Sequence, residues 1–322
     1  MSALQPPTLE SIHSARERLA GTILRTPLIR FRSADLSPHS QRSIYLKLEN
    51  LQPTGSFKVR GAGNALLSAN PSELQNGVWT ASAGNMGQAL AWYAKKLKVH
   101  CTVLVPDDAP DVKVQAIQNL GANIVKVPFA EYQSVQKEGS HSAMKGLLIH
   151  PFADEAVMAG NGTVGLEILE DLPDVDVILV PYGGGGLSCG IASAMANQPR
   201  VKVEAAEVAS AAPLTASLAA GKMVEVPYQS SFVSGMGAPF VFPQMWPLAS
   251  QLLDGSRVVE LRQVADAIRM LAERHHIIVE GAGAVALAAA LEMKETKKVV
   301  CVISGGNINS AHLTKILHGE LP

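Results

Sequence analysis

Val177-Ile178-Leu179-Val180 runs through Pro181-Tyr182 into Gly183-Gly184-Gly185-Gly186 and on into Leu187-Ser188-Cys189-Gly190-Ile191-Ala192. Four consecutive aliphatic residues suit a strand buried on both faces, and the small and aliphatic residues after the glycines predict a helix over Leu187–Asn197. In open α/β sheets, ligands bind beyond the carboxyl ends of the strands. Four glycines placed there open backbone conformations closed to other residues, so several N–H groups can converge on one anion beside the positive end of the helix dipole. The segment reads as a phosphate cup. It is not a nucleotide fingerprint, because Ser188 and Cys189 stand where the last glycine of Gly-x-Gly-x-x-Gly would fall, and no Gly-x-x-x-x-Gly-Lys-Ser/Thr occurs.

The same strand, loop and helix rhythm extends outward in both directions. Val99–Val105, Ile124–Val127, Val201–Val203 and Val299–Ile303 are further β-branched runs. Between them Leu90, Tyr93, Ala94 and Leu97 share one helical face, and Val114, Ile117 and Leu120 another. The fold expected is α/β, with open, mostly parallel sheets flanked by helices. The stretch from Val78 to His150 holds enough elements for a small sheet of its own. That predicts a small domain over residues 71–153, a large one over 1–70 with 154–322, and a cleft between the two lobes. Two more loops follow strands: Ala81-Ser82-Ala83-Gly84-Asn85-Met86-Gly87, entering a helix over Gln88–Lys96, and Ser304-Gly305-Gly306-Asn307.

Composition narrows the function classes. The chain has 322 residues, 27 Lys plus Arg against 28 Asp plus Glu, and only 17% charged residues, below the roughly 25% of an average soluble domain. Nothing in that balance suggests a nucleic-acid partner. Prolines and glycines break the uncharged runs Val177–Pro199 and Val226–Leu253, so no membrane span is expected. Met1 to Pro7 lacks a basic region followed by an apolar one, which points to the cytoplasm. Cys101, Cys189 and Cys301 lie too far apart for a zinc motif or a disulfide framework and are expected as buried apolar groups. A rival chemistry sits inside the glycine segment: Gly186-Leu187-Ser188-Cys189-Gly190 matches the serine-hydrolase elbow, with Asp254 and His275 or His276 following in the order of such a triad. Against it, the four glycines lengthen the loop and carry Ser188 into the helix.

Lys58 lies in Gly55-Ser56-Phe57-Lys58-Val59-Arg60-Gly61-Ala62. Beside a phosphate cup, a lysine of lowered pKa is suited to a Schiff base with a phosphorylated aldehyde. That segment, with Ser82-Ala83-Gly84-Asn85, Gly183–Gly186, Glu280-Gly281-Ala282-Gly283-Ala284 and Ser304-Gly305-Gly306-Asn307, resembles in order the threonine/serine dehydratase and serine racemase family. These are pyridoxal-phosphate enzymes of fold type II, and the likeness runs from about Thr8 to His318. The resemblance implies that Lys58 holds pyridoxal 5'-phosphate, with Phe57 near its ring. It places Asn85 on the cofactor's 3'-oxygen, the backbone of Gly183, Gly184, Gly185, Gly186 and Leu187 on the phosphate, and Ser304 at the pyridine nitrogen. Ser82, Ala83, Gly84, Asn85 and Met86 would hold the substrate. A 3-hydroxy amino acid would lose its β-hydroxyl after Lys58 removes the Cα proton, giving a 2-oxo acid and ammonia.

Departures from the family refine this. Racemases of the family carry a second serine at the position of Ala83, and an alanine moves no proton, so dehydration is expected over racemisation. Met86 replaces a histidine common among relatives, which admits a bulkier substrate such as phenylserine beside threonine and serine. Members with a divalent-cation site pair a glutamate with an aspartate six residues on. Glu207 fits, but Pro213 stands at the second place, so a cation, monovalent or divalent, rests on Glu207 at most. With the chain ending at Pro322, feedback control through a C-terminal regulatory domain is not expected. The assembly expected is a homodimer, the commonest oligomer.

Overall fold

The aliphatic runs become strands because both of their faces are covered. In the computed structural model, which describes residues 4–32, 43–295 and 297–322, ten strands form two sheets. Met1 to Ala3 of the stretch read for a targeting signal lie outside the described residues. In chain order the strands are β1 Leu28–Arg30, β2 Ser43–Lys47, β3 Val78–Ala81, β4 Cys101–Pro106, β5 Asn123–Val127, β6 Leu147–Leu148, β7 Val177–Pro181, β8 Lys202–Val208, β9 Gly255–Val259 and β10 Lys298–Val302. The larger sheet has the order β1-β2-β10-β7-β8-β9 and is parallel except for the β1–β2 edge pair. The smaller sheet, β5-β4-β3-β6, is parallel throughout.

Alternation along β7 feeds two cores. Val177 and Leu179 pack with the largely apolar helix Gly281–Glu292 on one face, while Ile178 and Val180 pack with helices Glu155–Asp171 and Gly186–Ala194 on the other. The small sheet has its own core, built on Val78, Leu90, Tyr93, Val103 and Ile117. Val59, Ala62 and Leu66 of the helix Lys58–Ser68 join that core. The turn before this helix is bonded instead to the large sheet: Phe57 N–H donates to Ser304 O (3.0 Å) and Gly306 N–H to Gly55 O (2.8 Å). Lys58 therefore starts a helix that bridges the two sheets.

Three details differ from the expectation. Leu97 is 38% exposed, because it ends the helix Asn85–Leu97 next to the left-handed Lys98. That helix begins at Asn85 rather than Gln88, and the helix after the glycines spans Gly186–Ala194 rather than Leu187–Asn197. The three cysteines are free and buried, as expected, and among the described residues no helix is long and apolar enough to cross a membrane.

A buried ionic frame lies beneath the Lys58 helix. The Arg60 guanidinium donates to both carboxylate oxygens of Glu49 (2.7 and 2.8 Å) and of Glu167 (2.7 and 2.9 Å), to Thr163 Oγ1 (3.0 Å) and to Leu24 O (3.3 Å). Lys47 Nζ donates to Glu167 (2.5 Å) and to Thr26 O (2.7 Å). Arg60, Lys47 and Glu49 have no exposed surface. Burial alone would raise the Glu49 pKa, but the Arg60 guanidinium beside it brings the carboxyl below its ordinary value.

Candidate active site

Strands β2, β10 and β7 are parallel neighbours, so the loops leaving their carboxyl ends open on one edge. Those loops carry Lys58, Ser304 and the four glycines. Lys58 Nζ donates to the carbonyl of Pro151 (2.5 Å) and lies 5.1 Å from the centre of the Phe57 ring. Burial lowers its pKa to about 8, the direction a nucleophilic amine needs. Ser304 is 3% exposed at the end of β10, and its backbone oxygen accepts the Phe57 N–H.

The glycine segment has the form of an anion cradle. Gly185 adopts φ +88°, a left-handed conformation that favours glycine, and caps the helix Gly186–Ala194. Among the described residues, no backbone or side-chain acceptor takes the N–H groups of Gly183, Gly184, Gly185, Gly186 or Leu187. Five successive donors at a helix N-terminus fit a phosphate. The ring of Phe152 lies against this loop, so close that a Cβ on Gly184 would stand 2.3 Å from it. Phe152 follows Pro151 directly, so two residues connect the Lys58 nitrogen to the cup. The Phe152 ring is in turn 4.4 Å from that of Phe242 and 4.6 Å from the imidazole of His150.

The loop after β3 reaches the same place from the small sheet. Asn85 Nδ2 donates to Glu280 Oε1 (2.7 Å), and Asn85 Oδ1 accepts from Asn307 Nδ2 (2.8 Å). Asn307 also donates to Thr54 O (2.9 Å), four residues before Lys58. Burial raises the Glu280 pKa, partly offset by the Asn85 bond. Ser82 Oγ accepts from Gly84 N–H (3.3 Å), and Ala83 and Gly84 are half-buried. Met86 departs from the expectation: it is 1% exposed and belongs to the core of the small sheet, so the apolar substrate surface expected of it has no support here. Helix phase explains this, since Asn85 points to Glu280 and Asn307 and the next residue turns some 100° away.

Two alternatives raised by the sequence gain no support from the geometry. Ser188 is buried, and its hydroxyl donates to Gly185 O (3.1 Å) within the first helical turn, so it stands at no elbow apex. Asp254 is engaged by Lys202 Nζ (2.8 Å) and Val203 N–H (2.9 Å), His275 stacks on Phe31, and His276 caps a helix in the left-handed conformation. These four residues assemble no hydrolytic triad. Glu207 has both carboxylate oxygens occupied: Oε1 accepts from Leu214 N–H (2.9 Å), and Oε2 from Thr215 N–H (2.7 Å), Thr215 Oγ1 (2.6 Å) and Ser256 Oγ (2.9 Å). It caps the helix Pro213–Ala220, whose first residue is the proline that replaces the second acid. Among the described residues no group of three or more metal-ligating side chains occurs.

His150, Pro151, Phe152, Glu280 and Asn307 take part in the site without having been assigned a role from the sequence. For the first three, the available signal was the familiar one of a loop directly after an apolar strand, here β6.

The comparisons agree with this geometry. A family model described as pyridoxal-phosphate dependent enzyme matches residues 19–305. The chain is 43% identical over 318 residues to an L-threonine ammonia-lyase of Geobacter sulfurreducens, covering 96% of this chain and 78% of that protein. It is 36% identical over 329 residues to a serine racemase of Dictyostelium discoideum, covering 99% of this chain and 100% of the relative. The structure of maize serine racemase superposes with a TM-score of 0.86 at 32% identity, covering 98% of each chain. With a lysine of lowered pKa, a cradle of five unpaired N–H donors and these relatives, the chain belongs to the pyridoxal-phosphate dependent enzymes, in their fold type II architecture.

Proposed function

We propose that the protein is a pyridoxal-phosphate-dependent ammonia-lyase that converts a 3-hydroxy amino acid to a 2-oxo acid and ammonia. The observation that carries this is the placement of the Lys58 nitrogen, against a carbonyl and an aromatic ring and two residues from the phosphate cradle. When bound, the cofactor supplies an electron sink that acidifies the Cα–H of an amino acid. Lys58 Nζ takes that proton, and burial, which lowers its pKa to about 8, makes the proton easier to give up again than from an ordinary lysine. The N–H groups that open the helix Asn85–Leu97, with Ser82, hold the substrate carboxylate. Ser304 offers a neutral hydroxyl, which leaves a pyridine nitrogen unprotonated and suits prompt elimination. Ala83 supplies no proton on the opposite face, which favours elimination over racemisation.

The substrate class is that of the threonine ammonia-lyase relatives. A cytoplasmic homodimer, with residues 71–153 as the small domain, completes the proposal. The test is a panel of serine, threonine, threo-3-hydroxyaspartate and phenylserine, read by ammonia and 2-oxo acid release from protein loaded with the cofactor. Release from at least one, lost in Lys58→Ala together with the borohydride-sensitive yellow band, is the expected result. Formation of the opposite enantiomer without ammonia would overturn it in favour of a racemase.

A further inference from the structure

We propose that the carbonyl of Pro151 is the docking point of the Lys58 ammonium whenever that nitrogen is free, and that His150 is the positioning residue that aims this carbonyl. The inference rests on the reading of Lys58 as the cofactor lysine and adds what manages its proton.

The argument begins with one peptide plane. The Pro151 carbonyl and the Phe152 N–H belong to the same trans amide, so they point in opposite directions. His150 Nδ1 accepts from Phe152 N–H (3.4 Å) and, more closely, from Ala153 N–H (2.9 Å). Drawing those N–H groups toward the imidazole turns the Pro151 oxygen away from it, and there it meets Lys58 Nζ at 2.5 Å. The imidazole is itself held: because Nδ1 accepts, the ring proton sits on Nε2, which donates to Gln136 O (3.0 Å). A protonated ring would set a donor against the two N–H groups, so the arrangement requires the neutral form. Burial, with the nearby Lys58 adding to it, keeps the ring neutral by lowering its pKa to about 4.

A carbonyl suits this duty better than a carboxylate. It accepts a hydrogen bond from an ammonium without the ion-pair energy that would raise the lysine pKa and trap the proton. Burial is the cause of the Lys58 shift, and no carboxylate among the described residues opposes it. The same turn places the Phe152 ring against Gly184, so His150 aligns the lysine and one wall of the phosphate cup together.

The experiment uses protein stripped of cofactor and measures how the rate of Lys58 modification by an amine reagent depends on pH, with peptides quantified by mass spectrometry. Wild type should show a midpoint near 8. His150→Leu removes the acceptor and should lower the midpoint by about one unit, the loss of one hydrogen bond to a charged group. His150→Asn, whose side-chain oxygen can receive the same N–H groups, should restore it. Pro151→Ala keeps the carbonyl and should leave it unchanged. In the loaded enzyme, kcat of His150→Leu should fall about tenfold with KM nearly constant, and His150→Asn should recover most of it. Should His150→Leu not fold, His150→Gln, which carries its acceptor one methylene further out, replaces it. A folded His150→Leu with a wild-type midpoint, or a His150→Asn as impaired as His150→Leu, overturns the proposal. An absence of ammonia release from every substrate would count against the ammonia-lyase reading alone, since the labelling midpoint is read without turnover.

Discussion

Replacing Arg60 by methionine should be among the most damaging single changes outside the cofactor contacts. The side chain has no exposed surface and makes six hydrogen bonds, four of them to the carboxylates of Glu49 and Glu167. Methionine matches the volume of the stem but leaves two buried carboxylates with Lys47 beside them, and of the two Lys47 bonds Glu167. Removing one partner of a buried ion pair costs about 3–5 kcal/mol. Against a total stability of roughly 5–15 kcal/mol, that is a large share. Arg60→Lys should recover only part, since an ammonium offers three donors where the guanidinium uses its planar fork. The assay is urea unfolding of the cofactor-free protein followed by far-UV circular dichroism. With a slope near 3 kcal/mol per molar urea, the Arg60→Met midpoint should fall by roughly 1–2 M. Adding Glu49→Gln to Arg60→Met should raise it again, because one unpaired charge is removed with its partner. A midpoint equal to wild type for Arg60→Met would refute the claim that this network locks the frame under Lys58.

Gly184→Ala would place a methyl 2.3 Å from the Phe152 ring; the ring must shift, at about 1–3 kcal/mol. Cofactor affinity, titrated by fluorescence, should drop about tenfold or more, and Phe152→Ala in the same chain should restore part of it. A pH dependence follows from His150, whose folded pKa of about 4 lies below the ordinary 6.5. The unfolded chain binds this proton first, so stability is fully present above pH 6.5 and is lost as pH falls through 4, at up to about 1.4 kcal/mol per pH unit. His150→Asn should flatten the stability curve in that window by one proton, as measured by thermal unfolding across pH. Ala83→Ser should introduce detectable racemisation of a 3-hydroxy amino acid, followed by chiral chromatography; a variant that only eliminates would show that a hydroxyl at this position does not reach the substrate.

The sequence made visible those parts of the site whose chemistry is local. Four glycines in a row, Ser82-Ala83-Gly84-Asn85 and Ser304-Gly305-Gly306-Asn307 each sit after an apolar strand, and the structure brings all three to Lys58. Two layers stayed hidden. Pro151 acts through its backbone oxygen, which every residue possesses, and its partner lies 93 positions away. The ionic frame joins Arg60 to Glu167 across 107 positions and Lys47 to Glu167 across 120. Charged residues are ordinarily solvent-facing, so nothing local marks these as buried. Met86 failed for a related reason: adjacency to a functional asparagine says nothing about which side of the helix the next residue takes.

These layers divide the electrostatic work in a way the chemistry requires. Lys58 has to give up a proton to act as nucleophile or base and take one up again, all near neutral pH, so its partners must be weak. The structure surrounds it with dipoles and an aromatic face: the Pro151 carbonyl and the Phe57 ring, with five N–H donors of the cradle beyond. Glu280, which holds Asn85, is pushed by burial toward its neutral form. Full charges are placed two residues further along the same helix, where Arg60 and its two glutamates neutralise one another out of contact with water. A charge that fixes the helix from below costs the lysine nothing in pKa, whereas the same carboxylate moved to within bonding distance of Nζ would raise that pKa and hold the proton. Reactivity at Lys58 thus depends on keeping strong ion pairs close enough to hold its helix in place and too distant to bind its proton.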